Sequence, residues 1–397
     1  MSPDAGDLSY SFHLLTNLCR AGVRLTVLAA ARAGNCARRP TADGVEWCLF
    51  VPKKKGAGWY GRSALWSLFS RLPNVAARHK IAVFQRELDA QLAREWDAIV
   101  VDHLGMGWVW PSVKAYQRRN SAAVSVFIAH QSEGDVRRTM ARNFRGNTLR
   151  KLALHVDAIK AGVLEREIVC SSTLFSVITT EDRNRFGSLP KSVLLTPGYA
   201  GSRASSRAIT STTPRRALMF GSVLWLAKQM NLIEFIEAAD ELFWRSQIEL
   251  WVVGQIPDHM HTKKFRATRF LGFVVDPEPI FRNVRIGIVA ERTGGGFKLK
   301  TLDYIFNRVP IAATRGGIAG LPLTPGLHYL SFESMRELAQ GVAAVIDDIE
   351  RLNSMQQAAY EKCDTGFEWS DRGRTLCNAI QKAVNRQCAA HARRAAL

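Results

Sequence analysis

The chain lacks any run of about eighteen apolar residues, the length a membrane-crossing helix needs, so no such helix is expected in its 397 residues. The apolar run at 25–31 is short and follows a helical pattern, which argues against a signal peptide. The seven cysteines, at 19, 36, 48, 170, 363, 377 and 388, contain no C-x-x-C pair. Their scatter argues against a zinc site and a disulfide framework, so no metal is expected, and it fits a reducing compartment. Acidic residues are scarce: 35 Asp and Glu stand against 54 Lys and Arg, for a net charge of +19. No basic block reaches five residues, and zinc-finger, RNA-recognition and helix-turn-helix signatures are missing, so specific nucleic-acid binding is not expected. The charge is dispersed in short groups such as Lys53-Lys54-Lys55, Arg137-Arg138, Arg150-Lys151 and Arg393-Arg394. An anionic membrane surface or a phosphorylated substrate is the better partner for it.

What is present is alternation. Leu8, Phe12, Leu15 and Cys19 recur at helical steps, and Gly22 ends that helix. Apolar runs at 23–29, 45–51, 96–106 and 122–128 read as strands, with 96–106 expected to be buried on both faces as a parallel strand. Helices fill 133–167, and short strands follow at 176–179 and 193–195. Residues 201–214 are rich in Ser, Thr and Arg, the composition of a linker. Strands then restart at 217–221, 248–253 and 286–290. Asn231 with Glu234 reads as a capping box opening a helix over 232–242, and Ser334 with Glu337 as a second one, opening a helix to about Leu352. Two doubly wound parallel-sheet α/β domains are the expected architecture, with the cleft between them as the default ligand site. The boundaries read as a first domain at 1–200, a linker at 201–215, a second domain at 216–365 and a helical segment at 366–397 that packs back on the first domain.

The most informative stretch is 291–321. An apolar run, Ile286-Gly287-Ile288-Val289-Ala290, leads into Gly294-Gly295-Gly296, and an amphipathic segment begins at about Phe297 with Lys298 and Lys300. A glycine loop entering a helix N-terminus presents backbone N–H groups and a positive dipole end. Lysines there are poorly placed for the helix alone, because the dipole prefers negative charge. A bound phosphate would supply that charge; an ordinary βαβ turn with surface lysines is the other reading, and these residues leave both open.

The order of motifs resembles the GT-B retaining glycosyltransferases (family 4, group 1 type). The matching pieces are Phe220-Gly221-Ser222 with Trp225, Asn231, Trp251-Val252-Val253-Gly254, Phe270-Leu271-Gly272-Phe273-Val274, the segment from Gly294 through Asp303, Pro310-Ile311, and Gly316-Gly317 with Gly320-Leu321. In the N-terminal half, Pro3-Asp4-Ala5-Gly6-Asp7 resembles the loop after that family's first strand, and His130-Gln131 with Glu133 its His-Asn-x-Glu segment. The chain starts inside that loop, so either the true start lies upstream or the N-terminal sheet lacks its first strand.

The resemblance implies a transfer of sugar from a nucleotide-sugar donor to a hydroxyl acceptor, a glycan or glycolipid, with retention and without a metal or cofactor. It implies an enzyme of polysaccharide or glycolipid assembly, cytoplasmic and peripheral at the inner membrane face. Gly294, Gly295, Gly296, Phe297 and Lys298 would bind the donor diphosphate, Asp303 the ribose, and Gly272 and Phe273 the base. His130, Lys228 and Lys300 would be the catalytic groups, and Gly6 and Asp7 an acceptor-side loop. Gly295 and Asp303 stand where most relatives carry glutamates. That departure leaves room for a GT-B-shaped binding or scaffold protein, or for a nucleotide-sugar epimerase.

Overall fold

The computed structural model describes residues 6–30, 44–50, 67, 69–261, 264–292 and 296–395. The expected Pro3-Asp4-Ala5 loop, the Lys53-Lys54-Lys55 group, Gly294 and Gly295 lie outside them. The chain divides into two compact units, residues 1–197 with 368–397, and residues 198–367.

In the first unit, helix α1 (Gly6–Arg20) precedes strands β1 (Leu25–Ala30) and β2 (Val45–Phe50), which pair with each other in parallel. Helices α2 (Asn74–Ala77) and α3 (Ala82–Gln91) lead to β3 (Ala98–Asp102), a 3-10 turn at Leu104–Val109, and α4 (Trp110–Arg119). Then follow β4 (Val124–Ile128), α5 (Glu133–Asn143), α6 (Thr148–Ser171), β5 (Leu174–Val177), α7 (Thr180–Arg185) and β6 (Ser192–Leu194). Strands β3 to β6 form a parallel sheet in chain order. β4 is buried throughout, as its position between two neighbours requires.

β3 corrects the expectation for 96–106. Only five residues of that run are strand, and they are not buried on both faces. Among the described residues β3 pairs with β4 alone, so its other edge is unpaired and Val100 is exposed. The apolar composition of the continuation serves the 3-10 turn instead, where Leu104, Trp108 and Val109 enter the core. The last helix of the chain, α14 (Trp369–Ala395), lies on α1. Trp369 stacks on His13 at 5.3 Å and meets Tyr10 edge-on at 5.4 Å. Arg372 Nε donates to the carbonyl of Thr196 at 2.8 Å.

The second unit runs β7 (Arg216–Phe220), α8 (Leu226–Arg245), β8 (Glu249–Val253), α9 (Asp258–His261), β9 (Thr268–Gly272), α10 (Glu278–Arg282) and β10 (Ile286–Val289). It continues with α11 (Leu299–Phe306), β11 (Ile311–Thr314), β12 (Leu330–Phe332), α12 (Met335–Val345) and α13 (Ile349–Cys363). The six parallel strands are ordered β9-β8-β7-β10-β11-β12, which is the 3-2-1-4-5-6 order of a Rossmann domain. Alternate side chains serve opposite faces: Ala217, Met219, Leu250 and Ile288 pack with α8 and α12, while Leu218, Val253 and Val289 pack with α11. Both faces are therefore apolar and covered by helices, which is why these strands read as continuous hydrophobic runs.

Two helix boundaries differ from the sequence expectation. α8 starts at Leu226, after Trp225, which makes no side-chain capping bond. Asn231 is inside the helix and buried, and its amide is committed to residues after β10 instead of a cap. Ser334 does cap α12, accepting from the Glu337 N–H at 3.1 Å, but that helix ends at Val345 and α13 restarts after Asp348. Residues 201–215 lie in this unit and are tied to it. Arg203 spreads over the Phe306 ring at 4.0 Å, and Ile209 N–H donates to Asn353 Oδ1 at 2.9 Å.

Candidate functional site

The strand order of the second unit reverses between β7 and β10, and in such sheets ligands bind at the carboxyl ends flanking that reversal. Gly221 follows β7 there and Glu291 follows the end of β10. The loops after β7 and β8 touch backbone to backbone: a Cβ on Gly254 would lie 2.3 Å from the Gly221 carbonyl oxygen, and φ is +136° at Gly254. Only glycine meets both conditions.

Tyr304 of α11 fastens this helix to the sheet. The β7–β10 ladder includes Leu218 but ends before Phe220. The Tyr304 hydroxyl takes over, accepting from the Phe220 N–H and donating to the Leu218 carbonyl, each at 2.9 Å. Its ring lies over Gly287, where a Cβ would come within 2.9 Å of three ring carbons. α11 is thus set at the mouth of the reversal by a fully buried phenol.

Around this mouth the charges converge on Glu291. Lys300 Nζ donates to Glu291 Oε1 at 2.7 Å, and Asn231 Nδ2 to Oε2 at 3.0 Å. Asn231 Oδ1 in turn accepts from the Arg292 N–H at 3.2 Å, and the Glu291 N–H donates to Thr314 Oγ1 at 2.9 Å. The carboxylate side chain is 7% exposed and the lysine 17%. Burial alone would raise the Glu291 pKa, but Lys300, Lys298 and Lys228 outweigh it and hold the carboxyl down at about 2. Lys228 stands in the first turn of α8, and Lys298 at the head of α11 with Nζ 3.3 Å from the Gly296 carbonyl. Three ammoniums thus act on one carboxylate, and one of them, Lys300, is hydrogen-bonded to it. The first N–H groups of α11 add a positive dipole end. Lysines beside a helix N-terminus are chemically suited to an anion.

Asp303, one turn into α11, is half-buried. Burial pushes its carboxyl up to about 7 against the lowering effect of the Tyr199 hydroxyl beside it. At the end of β9, Gly272 adopts φ +71° and Phe273 is 62% exposed. Leu271 and Val275 are exposed beside it in sequence, which makes an uncovered apolar turn. Phe297 packs inward, 6.2 Å from Phe367.

The first unit has its own polar cluster, at the carboxyl ends of β3 and β4. Their register sets Asp102 opposite Ile128, which brings His130 within reach of it. His130 Nε2 donates to Asp102 Oδ1 at 2.7 Å. Burial would raise the Asp102 pKa, yet His130, Ser11 and His103 pull it below the usual carboxylate range. The ionised carboxylate accordingly fixes the proton on Nε2. His103 has φ +69°, and its Nδ1 accepts from the Gly105 N–H at 2.9 Å, so its proton is on Nε2, 3.5 Å from Glu133 Oε1. Glu133 is also held by Arg137 at 2.9 Å and Gln131 at 2.8 Å. Tyr10 meets the His130 ring edge-on at 5.0 Å. Gly6 opens α1, with Asp7 second in it. Among the described residues no three His, Cys, Asp or Glu side chains are grouped to hold a metal ion.

Residues 214–348 match the family model described as Glycosyl transferases group 1. No curated protein matches the chain. Among solved structures, Anabaena Alr3699/HepE in complex with UDP-glucose is similar at a TM-score of 0.60 and 11% identity, over 96% of this chain and 97% of that one. The architecture is GT-B. WaaG, a glycosyltransferase involved in lipopolysaccharide biosynthesis, shares it at a TM-score of 0.58 and 13% identity, over 95% of this chain and 96% of its own. TarM matches at 0.54 and 12% identity, over 71% of this chain and 54% of that one, so the chain spans about half of TarM's length.

Within the GT-B frame, the structure brings Lys228, Lys298 and Lys300 together and puts Asp303 on the same helix as Lys300. Glu291 and Asn231 are the residues that sequence reasoning missed at this mouth. A signal existed for Glu291, since a carboxylate directly after a buried strand and ahead of two lysines needs partners. Asn231 had a plausible local use as a cap, which concealed its long-range one. Tyr304 and Tyr199 gave no local signal.

Proposed function

We propose that the protein is a retaining glycosyltransferase that moves a sugar from a nucleotide diphosphate donor to a hydroxyl acceptor. The observation that carries this reading is the group of three lysines around buried Glu291 at the head of α11. A donor diphosphate meets these lysines and the helix N-terminus. As the sugar bond breaks, negative charge grows on the leaving phosphate, and pre-placed ammoniums and N–H dipoles stabilise it without reorganising. A metal is not required for that role. Asp303 accepts from the ribose hydroxyls, Gly272 and Phe273 receive the base, and Gly294, Gly295 and Gly296 approach the phosphates. In this reading His130, oriented by Asp102, serves the transferred sugar, and Gly6 and Asp7 belong to the acceptor side. The acceptor is a glycan or glycolipid presented at an anionic membrane surface on the cytoplasmic side, in keeping with the net charge of +19.

Titration calorimetry with a panel of nucleoside diphosphates tests the donor site, with UDP first because a GT-B relative was crystallised with UDP-glucose. Micromolar binding and slow release of free sugar from the donor are expected. Failure to bind any nucleoside diphosphate overturns the reading. One observation favours a binding module instead: Lys300 is already neutralised by Glu291, and Asp303 is one methylene shorter than glutamate. Nucleotide binding with no sugar release and no transfer would select that alternative. Recovery of an epimerised donor would select the epimerase.

A further inference from the structure

Helix α6 has two apolar faces, and the unit's core accounts for only one. Ala158, Ala161, Leu164, Ile168 and Val169 are buried. A second set, Leu149, Leu152, Val156, Ile159 and Val163, recurs at steps of three and four. At 100° per residue these five fall within an arc of about 80° and run along about 21 Å of helix. Leu149, Leu152, Ile159 and Val163 are 76%, 62%, 63% and 63% exposed. Scattered surface leucines need no explanation, whereas a contiguous stripe does. The stripe is also firmly placed: Asn147 caps the helix by accepting from the Leu149 N–H at 2.8 Å, and Gly134 of α5 meets the Gly162 backbone on the covered side.

We propose that this face of α6 docks on an anionic lipid surface. The inference deepens the membrane-side acceptor of the proposed function and rests on that reading for its use, not for its physics. Charge decides the occupant. Exposed Arg142, Arg145 and Arg150 stand at the start of the stripe, His155 and Arg166 along one flank, and Lys160 along the other. The carboxylates of the same segment are engaged elsewhere. Arg137 takes Asp157 at 2.7 Å, Glu165 is buried against the start of α5, and Glu167 pairs with Lys114 at 2.5 Å. A second copy of the helix would bring basic flank against basic flank, so the 3-4 spacing does not make a homodimer seam. A stripe along one side of a single helix suits a plane of headgroups. An amphipathic helix lying in that plane buries its apolar residues among acyl chains while its Lys and Arg meet lipid phosphates. Lys160 also ties the chain at Ser67 to α6, its Nζ donating to the Ser67 carbonyl at 2.6 Å.

The test is flotation of the full chain with phosphatidylglycerol–phosphatidylcholine vesicles and with phosphatidylcholine alone. Binding to the anionic vesicles, weakened by salt, is expected. Leu152→Gln/Ile159→Gln and, independently, Leu149→Gln/Val163→Gln should each lower partitioning by about tenfold or more, since each buried methylene contributes to the affinity. Nucleoside diphosphate affinity and thermal midpoint should be unchanged in both variants, because these side chains are exposed. Equal binding by wild type and both variants, or no binding by wild type, overturns the proposal. A wild-type dimer that becomes monomeric in the variants also overturns it, in favour of a second copy. If vesicles bind but no nucleotide does, the donor reading fails and the docking face stands.

Discussion

Glu291 Oε1 lies 2.7 Å from Lys300 Nζ, and the pair is closed off from most solvent. The carboxylate is shared, because Lys298 and Lys228 also lower its pKa. A buried pair of this kind is weak evidence for stability, since desolvation offsets much of the attraction. Its value here is positional. Glu291 holds Lys300 at the mouth between β7 and β10, with Lys298 and Lys228 close enough to lower the carboxyl pKa.

Lys300→Met should therefore separate the two roles. Removing one partner of a buried pair costs about 3–5 kcal/mol, partly relieved here by Lys298 and Lys228. Adding Glu291→Gln should return much of the stability but none of the nucleoside diphosphate affinity, which should fall by at least about tenfold, the equivalent of 1.4 kcal/mol. Calorimetry and thermal melts on the single and double variants check this. Unchanged affinity in Lys300→Met refutes the phosphate role.

Acid should weaken the wild type in a defined window. The folded pKa of Glu291 is depressed to about 2 from 4.5. Its contribution is present above pH 4.5 and is lost as pH falls towards about 2. In Glu291→Gln that part of the acid sensitivity should be missing from denaturant midpoints taken across the window.

Asp303 gives the opposite sign. Its folded pKa is raised to about 7 from 3.8, so stability falls as pH rises through that range. Ribose hydroxyls donate better to the ionised carboxylate, so nucleotide affinity should rise between pH 6 and 8, about one unit either side of that value. Asp303→Asn should bind weakly and show a flat pH profile. A wild-type affinity independent of pH would remove Asp303 from the ribose contact.

Tyr304→Phe removes one oxygen and leaves the Phe220 N–H and Leu218 carbonyl without it inside the sheet. A loss of about 1–3 kcal/mol is expected for such a buried deletion. The effect should appear in the denaturant midpoint with an unchanged slope.

Asp102→Asn should test the histidine pair. The amide cannot fix the Nε2 proton of His130 as a carboxylate does. Turnover should drop by up to about a hundredfold, the low end for a positioned proton-handling group, with donor KM little changed. Equal loss of stability and turnover would mark the pair as structural only.

Much of the architecture was legible in the chain because it is written locally. Buried parallel strands need apolar runs, helices need a 3.6-residue period, and the turns between them need glycine at special angles. The Rossmann order of the second unit and the position of the lysines at the head of α11 follow from such patterns and the motif order. Edge and centre are not local properties: the run at 96–106 reads as a buried strand, yet among the described residues β3 has one neighbour, and Val100 is exposed.

Asn231 shows the same limit at the level of one side chain. As a cap it would serve the next turn of its own helix, but folding brings Glu291 and Arg292 to it from sixty residues away. The second face of α6 was hidden for a related reason. Apolar residues on both sides of a helix look like one buried helix until the fold shows which side is covered. Periodicity states what can be buried, while burial itself, the partners of each charge and the convergence of lysines on Glu291 arise when distant segments meet.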